Sequence, residues 1–137
     1  SYVAEVMPKA NGGALDGEAL FVANCSACHQ VTGKGVPGAF PPLDGSPYVL
    51  NNNVERMASI MLYGLQGPIN VLGTTYTSVM APLGKTLSNE ELSAIAGYVR
   101  TAWSNKASGI EPTVFEKMRQ KWGERTMFSI SELGEEK

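Results

Sequence analysis

The chain is poor in residues that hold metals or form disulfides: its 137 residues include one histidine and two cysteines. It also lacks an excess of positive charge, because 11 Lys and Arg stand against 13 Asp and Glu, for a net charge of -2. A nucleic-acid-binding surface needs a basic face, so this balance argues against nucleic acid as a partner. No apolar run approaches the roughly 18 residues of a transmembrane segment. The start of the chain lacks the basic head and apolar middle of a secretory signal.

The few cysteines and the histidine are not scattered. They form one motif, Cys25-Ser26-Ala27-Cys28-His29. This spacing is the attachment motif of a c-type haem, in which both thiols bind the haem edge and the imidazole binds the iron. A zinc site would need two further Cys or His ligands, and a redox dithiol would need a βαβ context. The motif therefore predicts one covalent haem c on Cys25 and Cys28, with His29 as iron ligand.

The haem motif also predicts where the protein works. Covalent haem attachment of this kind takes place outside the cytoplasm, so we expect a periplasmic or otherwise extracytoplasmic protein, with membrane tethering left open. Because no signal is visible, we expect the sequence to be a mature form or an excised domain.

A second iron ligand has to come from a methionine, because the chain has no second histidine. Met80 lies in an uncharged segment that Pro82 keeps out of a helix, far enough after His29 to approach the iron from the other side. Met57 and Met61 lie four residues apart on a predicted helix, which is typical of core filling. We therefore predict Met80 as the second ligand. The alternative is that Met80 is an ordinary core residue.

Capping signals and apolar spacing predict four helices and a hairpin. The helices are expected at residues 16–30, 54–63, 88–104 and 112–122, and a small β-hairpin can form at residues 69–76.

Composition divides the chain into three parts. Residues 1–14 show no periodicity and are expected to be an extension or linker. We expect the haem domain at residues 15–106 and a helical extension at residues 107–137. An apolar stripe on the last predicted helix, Val114, Phe115, Met118 and Trp122, predicts that the extension packs on the domain. The alternative for this stripe is a partner-binding helix.

Residues 15–105 resemble class I cytochrome c, in its bacterial mono-haem branch of soluble carriers and of cytochrome domains of terminal oxidases or copper nitrite reductases. The resemblance rests on the haem motif and on the segment that contains Met80. It implies an all-α fold whose helices wrap round one covalent haem.

The same resemblance implies roles for further residues. Phe21 packs against Ile95 and Tyr98, and Gly17 lies where the first and last helices of the domain cross. The carbonyl of Pro41 accepts a hydrogen bond from the proximal imidazole, and Tyr76 lies at the haem near Met80. Without the resemblance, Pro41 would be interpreted as an ordinary loop proline.

The implied function is single-electron transfer between partners of a bacterial respiratory chain, such as a terminal oxidase, a nitrite reductase or a quinol-oxidising complex. The protein is then a carrier and not an enzyme. One alternative is a cytochrome domain of a larger redox enzyme. Another is an open-iron haem enzyme or gas sensor, which the sequence disfavours because Tyr63 and Tyr76 are the only titratable residues from Met57 to Gly84.

The uncharged run from Met57 to Gly84 also suggests how partners dock. Mitochondrial-type relatives steer partners with a ring of lysines, whereas here only Lys34 and Lys85 could flank the haem edge. We therefore expect an apolar docking patch with weak electrostatic steering. The alternative is that the run is mostly interior, packed against haem.

Overall fold

The computed structural model describes residues 9–10, 14–125 and 127–135, and within these the chain is mostly helical. The described residues form seven helices and two small antiparallel sheets, in the order β1 Lys9–Ala10, β2 Ala14–Leu15, α1 Gly17–Asn24, α2 Ser26–His29, α3 Pro47–Leu50, α4 Val54–Tyr63, β3 Ile69–Val71, β4 Thr74–Tyr76, α5 Asn89–Thr101, α6 Pro112–Trp122 and α7 Ile130–Leu133. The all-α prediction is confirmed, with the hairpin as its β element. Among the described helices, none has the length and apolar character needed to cross a membrane.

Local capping chemistry accounts for the helix boundaries. Asp16 and Asn53 accept hydrogen bonds from backbone N–H groups in the first turns of α1 and α4. Ser88 and Glu91 form a capping box in which each side chain accepts from the other residue's backbone N–H, at 3.1 and 2.8 Å. These contacts satisfy N–H groups that a helix start leaves without partners.

The predicted hairpin is present, with β3 and β4 paired antiparallel and Asn70 opposite Thr75. The turn between the strands is Leu72-Gly73, and both residues have positive φ, 52° and 89°. A two-residue turn of this kind matches the twist of the strands it joins, and glycine adopts it without strain.

Two predicted helix boundaries are wrong. The helix expected at residues 16–30 is broken at Cys25, whose φ of -129° ends α1 before the short turn α2 begins. The helix expected to reach residue 104 ends at Thr101, because Trp103 takes a left-handed φ of 55°. Its indole then donates to the carbonyl of Val31 at 3.0 Å, and its ring packs on Phe21. Tertiary packing on the loop after the haem motif therefore overrides the helical spacing.

Only part of the expected N-terminal extension, residues 1–14, is described. Lys9–Ala10 pairs with Ala14–Leu15 as a short antiparallel ribbon. The remaining residues of that extension, and Met7 with them, lie outside the described residues.

Buried side chains form two hydrophobic clusters. The first, called here the helix cluster, joins α1, α4, α5 and α6, and includes Phe21, Ile95 and Phe115. The second, called the hairpin cluster, joins the β3–β4 hairpin to the end of the chain and includes Tyr76 and Phe128. The C-terminal part of the chain contributes to both clusters.

Helix α6 packs on the body as its apolar stripe predicts. Phe115 and Met118 are fully buried, while Val114 and Trp122 are partly buried against the helix cluster. The guanidinium of Arg119 donates to Asn89 and to the carbonyls of Gly84 and Leu87, at 2.7, 2.7 and 3.1 Å. The extension is therefore joined to the domain by apolar burial and by directed hydrogen bonds.

Gly17 lies at the crossing of α1 and α5, as expected. A Cβ atom at Gly17 would lie 3.0 Å from the carbonyl carbon of Ala94, clash with its oxygen, and approach Cβ of Tyr98 to 3.1 Å. Only glycine therefore lets the two backbones come this close.

This contact predicts opposite effects for two helical glycines. Gly17→Ala should lower the free energy of unfolding by about 1–3 kcal/mol through overpacking. Gly97→Ala is the matched control, because a Cβ there meets no atom within 4 Å, and it should raise the free energy of unfolding by about 0.5–1 kcal/mol. Denaturant unfolding of both variants measures this. An equal increase in the free energy of unfolding from both substitutions would contradict the close crossing of α1 and α5.

Candidate haem site

A cavity of about 280 Å³ opens between the two clusters. Residues from α1 to α5 and from the β3–β4 hairpin line the cavity. No Asp, Glu, Lys or Arg of the described chain lies among them. The wall is mostly aliphatic and aromatic. Such a cavity suits a large, flat, apolar group with few polar contacts.

All six residues predicted for the site lie on the wall of this one cavity. They are Cys25, Cys28, His29, Pro41, Tyr76 and Met80. Three come from the motif after α1, one from the following loop, one from β4 and one from the segment after β4. The fold thus brings together residues that are more than 50 positions apart in the sequence.

The break at Cys25 sets the geometry of the motif. The carbonyl of Cys25 accepts from the N–H groups of Cys28 and His29, at 3.3 and 3.0 Å, which makes α2 a single tight turn. That turn places both thiols and the imidazole on the same wall. Both cysteines are free and half-buried.

The thiol of Cys25 does not have the lowered pKa of a redox dithiol. Burial, and then the charge of Cys28, raise the pKa of Cys25 to about 12. Thiols that exchange disulfides have a lowered pKa, since the thiolate is the reactive form. Among the described residues, no group of three or more His, Cys, Asp and Glu could hold a metal ion. The zinc and dithiol alternatives therefore find no support in the site.

The imidazole of His29 is held in one tautomer. Its Nδ1 lies 2.9 Å from the carbonyl oxygen of Pro41, and since a carbonyl can only accept, Nδ1 carries the proton. Burial lowers the pKa of His29, although the hydrogen bond to Pro41 acts in the opposite direction. The ring is thus neutral at physiological pH, and Nε2 keeps the lone pair that a metal needs.

The loop after the motif is folded so that the Pro41 carbonyl reaches the ring. Gly35, with φ of 65°, packs so closely that a Cβ would lie 2.6 Å from the oxygen of Pro41. The N–H of Gly35 donates to the carbonyl of His29 at 3.0 Å, and Val36 and Phe40 close the loop as an isolated β-bridge. A carbonyl held in this way fixes the ring orientation and raises the basicity of Nε2.

Met80 is placed by backbone pairing. It exchanges two hydrogen bonds with Leu65, with its N–H donating at 2.9 Å and its carbonyl accepting at 3.0 Å. Two residues earlier, the hydroxyl of Ser78 donates to the carbonyl of Ala39, which ties the Met80 segment to the loop that holds Pro41. Tyr76 is buried in the hairpin cluster, against which Met80 also packs.

Met57 and Met61 also line the cavity, which sequence analysis did not anticipate. Both lie on α4 and are buried in the helix cluster, as core filling requires. Met80 differs because it is only half-buried and lies in an extended segment. Three thioethers of the described residues thus border the cavity, two from α4 and one from the extended segment.

Sequence analysis missed Tyr48 and Val49, which line the cavity from α3. The signal was present, since Ser46 accepts from the N–H of Tyr48 as N-cap and Pro47 occupies the first helical position. The surrounding glycines and prolines obscured this signal.

Arg100 was also missed. Its buried guanidinium donates to the carbonyls of Val49, Asn51 and Ser108, and so fixes α3 against α5.

The donor set and the wall fit a covalent haem. The cavity offers one neutral imidazole, a thioether in an extended segment and two thiols at the spacing of haem attachment, within apolar walls. His29 and Met80 would hold the iron, and Cys25 and Cys28 would bind the haem edge.

Comparisons with known proteins agree. The family model of cytochrome c matches residues 14–103. Cytochrome c-552 from Thermus thermophilus is 37% identical over 110 residues, which cover 77% of this chain and 82% of that protein. The cytochrome c subunit of a quinone alcohol dehydrogenase from Gluconacetobacter polyoxogenes is 30% identical over 107 residues. That match covers 77% of this chain but only 22% of the subunit.

The motif, the cavity and these matches lead to one conclusion. A cytochrome c carries covalently bound haem c and transfers electrons, and the chain belongs to the cytochrome c family.

Proposed function

We propose that this protein is a single-electron carrier, and not an enzyme, whose haem iron is closed on both faces by His29 and Met80. The observation that carries the proposal is the convergence of the motif, the Pro41 carbonyl and the Met80 segment on one apolar cavity. The haem supplies an iron that alternates between Fe(II) and Fe(III). The protein supplies a fixed imidazole, a soft thioether and walls without charge.

Each of these contributions favours carrier chemistry. The Pro41 hydrogen bond prevents rotation of the His29 ring, so little motion accompanies a change of iron charge. A thioether ligand and an apolar, uncharged wall favour the ferrous state and raise the reduction potential. The wall offers no acid–base pair for substrate chemistry, since His29 is engaged and no Asp, Glu, Lys or Arg of the described chain lines the cavity.

The identity of the second ligand can be tested with two methionines of the same cavity. Ferric protein should show the weak far-red absorption that marks Met–iron ligation. Met80→Leu should abolish that band and lower the reduction potential, because the thioether no longer stabilises the ferrous state. Met61→Leu is the matched control and should keep the band. Loss of the band in Met61→Leu alone would assign the ligand to α4 instead.

We propose an extracytoplasmic location, on the strength of the attachment motif, and a role between redox partners of a respiratory chain. A second reading is a cytochrome domain of a larger redox enzyme. The relatives that are cytochrome subunits of a quinone alcohol dehydrogenase and of a fructose dehydrogenase favour it, although the chain spans only 22% of their length. In either case the electron enters and leaves over the mouth of the cavity.

The mouth of the cavity is uncharged. Ala27, Ser78, Val79 and Ala81 line the cavity and are also exposed, Val79 to 57%. The run from Met57 to Gly84 is therefore divided: most of its first part is buried in α4, and much of its second part is exposed, including Ser78, Val79 and Ala81 at the cavity. Lys34 is in an ion pair with Asp44 at 3.2 Å, which reduces its steering effect.

A mouth of this kind predicts weak dependence of electron transfer on salt. Raising the ionic strength from about 0.01 to 0.15 M shortens the screening length roughly fourfold, yet the transfer rate to a redox partner should fall only a fewfold. Stopped-flow kinetics across that range measures this. A loss of a hundredfold or so would show that charges elsewhere on the surface direct docking.

A further inference from the structure

The last described part of the chain pairs with the segment that holds Met80 in place. We call residues 127–133 the C-terminal strap. The N–H of Phe128 donates to the carbonyl of Gly64 at 3.2 Å, and its carbonyl accepts from the N–H of Gln66 at 2.9 Å. On the other edge of the same stretch, Leu65 exchanges its two hydrogen bonds with Met80. Residues 64–66 are thus a middle strand, with Met80 on one edge and the strap on the other.

The spacing between the middle strand and the Met80 segment is tight. Gly64 has φ of 82°, and a Cβ there would lie 2.5 Å from the carbonyl oxygen of Met80 and 3.0 Å from the nitrogen of Pro82. A displacement of the middle strand would therefore also displace Met80. The strap is the element that fixes the middle strand from the other side.

The strap is itself firmly anchored. The ring of Phe128 is fully buried, with ring centroids 4.9 Å from Trp122 and 5.8 Å from Tyr63. The guanidinium of Arg125 lies over the Phe128 ring at 3.7 Å and also pairs with Glu132 at 3.0 Å. These contacts tie the strap to α6 and to the end of α4.

We propose that the C-terminal strap is a positioning element for the iron ligand Met80, with Phe128 as its anchor. This inference rests on Met80 being the ligand, as proposed above. Methionine stays on the iron only while its segment is restricted to conformations that allow the bond. The strap supplies that restriction by holding the middle strand through Phe128, and the middle strand holds Met80 through Leu65.

Two phenylalanines of the extension provide a matched test. Phe115 and Phe128 are both fully buried, but Phe115 belongs to the helix cluster and Phe128 to the hairpin cluster. Phe115→Ala and Phe128→Ala should both lower the melting temperature, because each leaves a cavity. Only Phe128→Ala should weaken Met80 ligation.

The readout is the binding of imidazole to the ferric protein, together with the far-red band. Imidazole binds only when methionine has left the iron, so its apparent affinity rises with the population of the open state. We expect Phe128→Ala to increase that affinity about tenfold or more, while Phe115→Ala leaves it within about twofold of wild type. Phe128→Leu keeps most of the buried volume, so its imidazole affinity should lie between that of Phe128→Ala and that of the wild type.

The outcomes separate the two proposals. If the wild type shows the far-red band and Phe128→Ala binds imidazole no more tightly than Phe115→Ala, the strap is only structural and the inference is wrong. If the wild type lacks the band, the ligand assignment fails and the inference fails with it. Should Phe128→Ala not fold, Phe128→Leu decides, because its affinity must lie above that of the wild type and of Phe115→Ala.

Discussion

A cavity of about 280 Å³ is walled by both hydrophobic clusters, and the elements from α1 to α5 contribute to its surface. An empty apolar cavity costs about 24 cal/mol per Å³, or roughly 7 kcal/mol for this volume. That is comparable to the whole stability of a typical domain, about 5–15 kcal/mol. Haem is therefore part of the hydrophobic core as well as the redox centre. Two features of the fold enclose the haem. They are the packing of α1 across α5 at Gly17 and the placement of the hairpin.

The polar contacts described in the site are few, and each one orients a side chain or a backbone segment. The carbonyl of Pro41 fixes the tautomer of His29, and the pairing with Leu65 fixes the segment of Met80. Ser78 joins the two segments at the cavity edge. No Asp, Glu, Lys or Arg of the described residues lines this wall, so these directed contacts are what orient the His29 ring and the Met80 segment.

Local chemistry explains what the sequence predicts well. The C-x-x-C-H motif, the caps at Asp16 and Asn53, the Ser88–Glu91 capping box and the Leu72-Gly73 turn act within a few residues, so they can be recognised without tertiary structure. The helices, the hairpin and the haem-attachment motif were therefore largely predictable.

What the sequence did not predict depends on distant contacts. Trp103 leaves its helix because Phe21 and Val31 offer better packing and a hydrogen-bond acceptor. Residues 128 and 65 pair although nothing near Phe128 indicates a strand. Arg100 is buried because three carbonyls, two from the end of α3 and one from the loop after α5, converge on it. The approach of Met57 and Met61 to the cavity likewise follows from how α4 packs, which helical spacing alone does not determine.

The central claim is that this chain closes both faces of the iron and so carries electrons without binding a substrate. Exposure of the reduced, unmodified protein to carbon monoxide tests it most directly, because carbon monoxide binds ferrous haem only at an open position. We predict an unchanged ferrous spectrum at neutral pH. Rapid conversion to the carbon monoxide complex would show that one face of the iron is open, and would point to an enzyme or a gas sensor instead of a carrier.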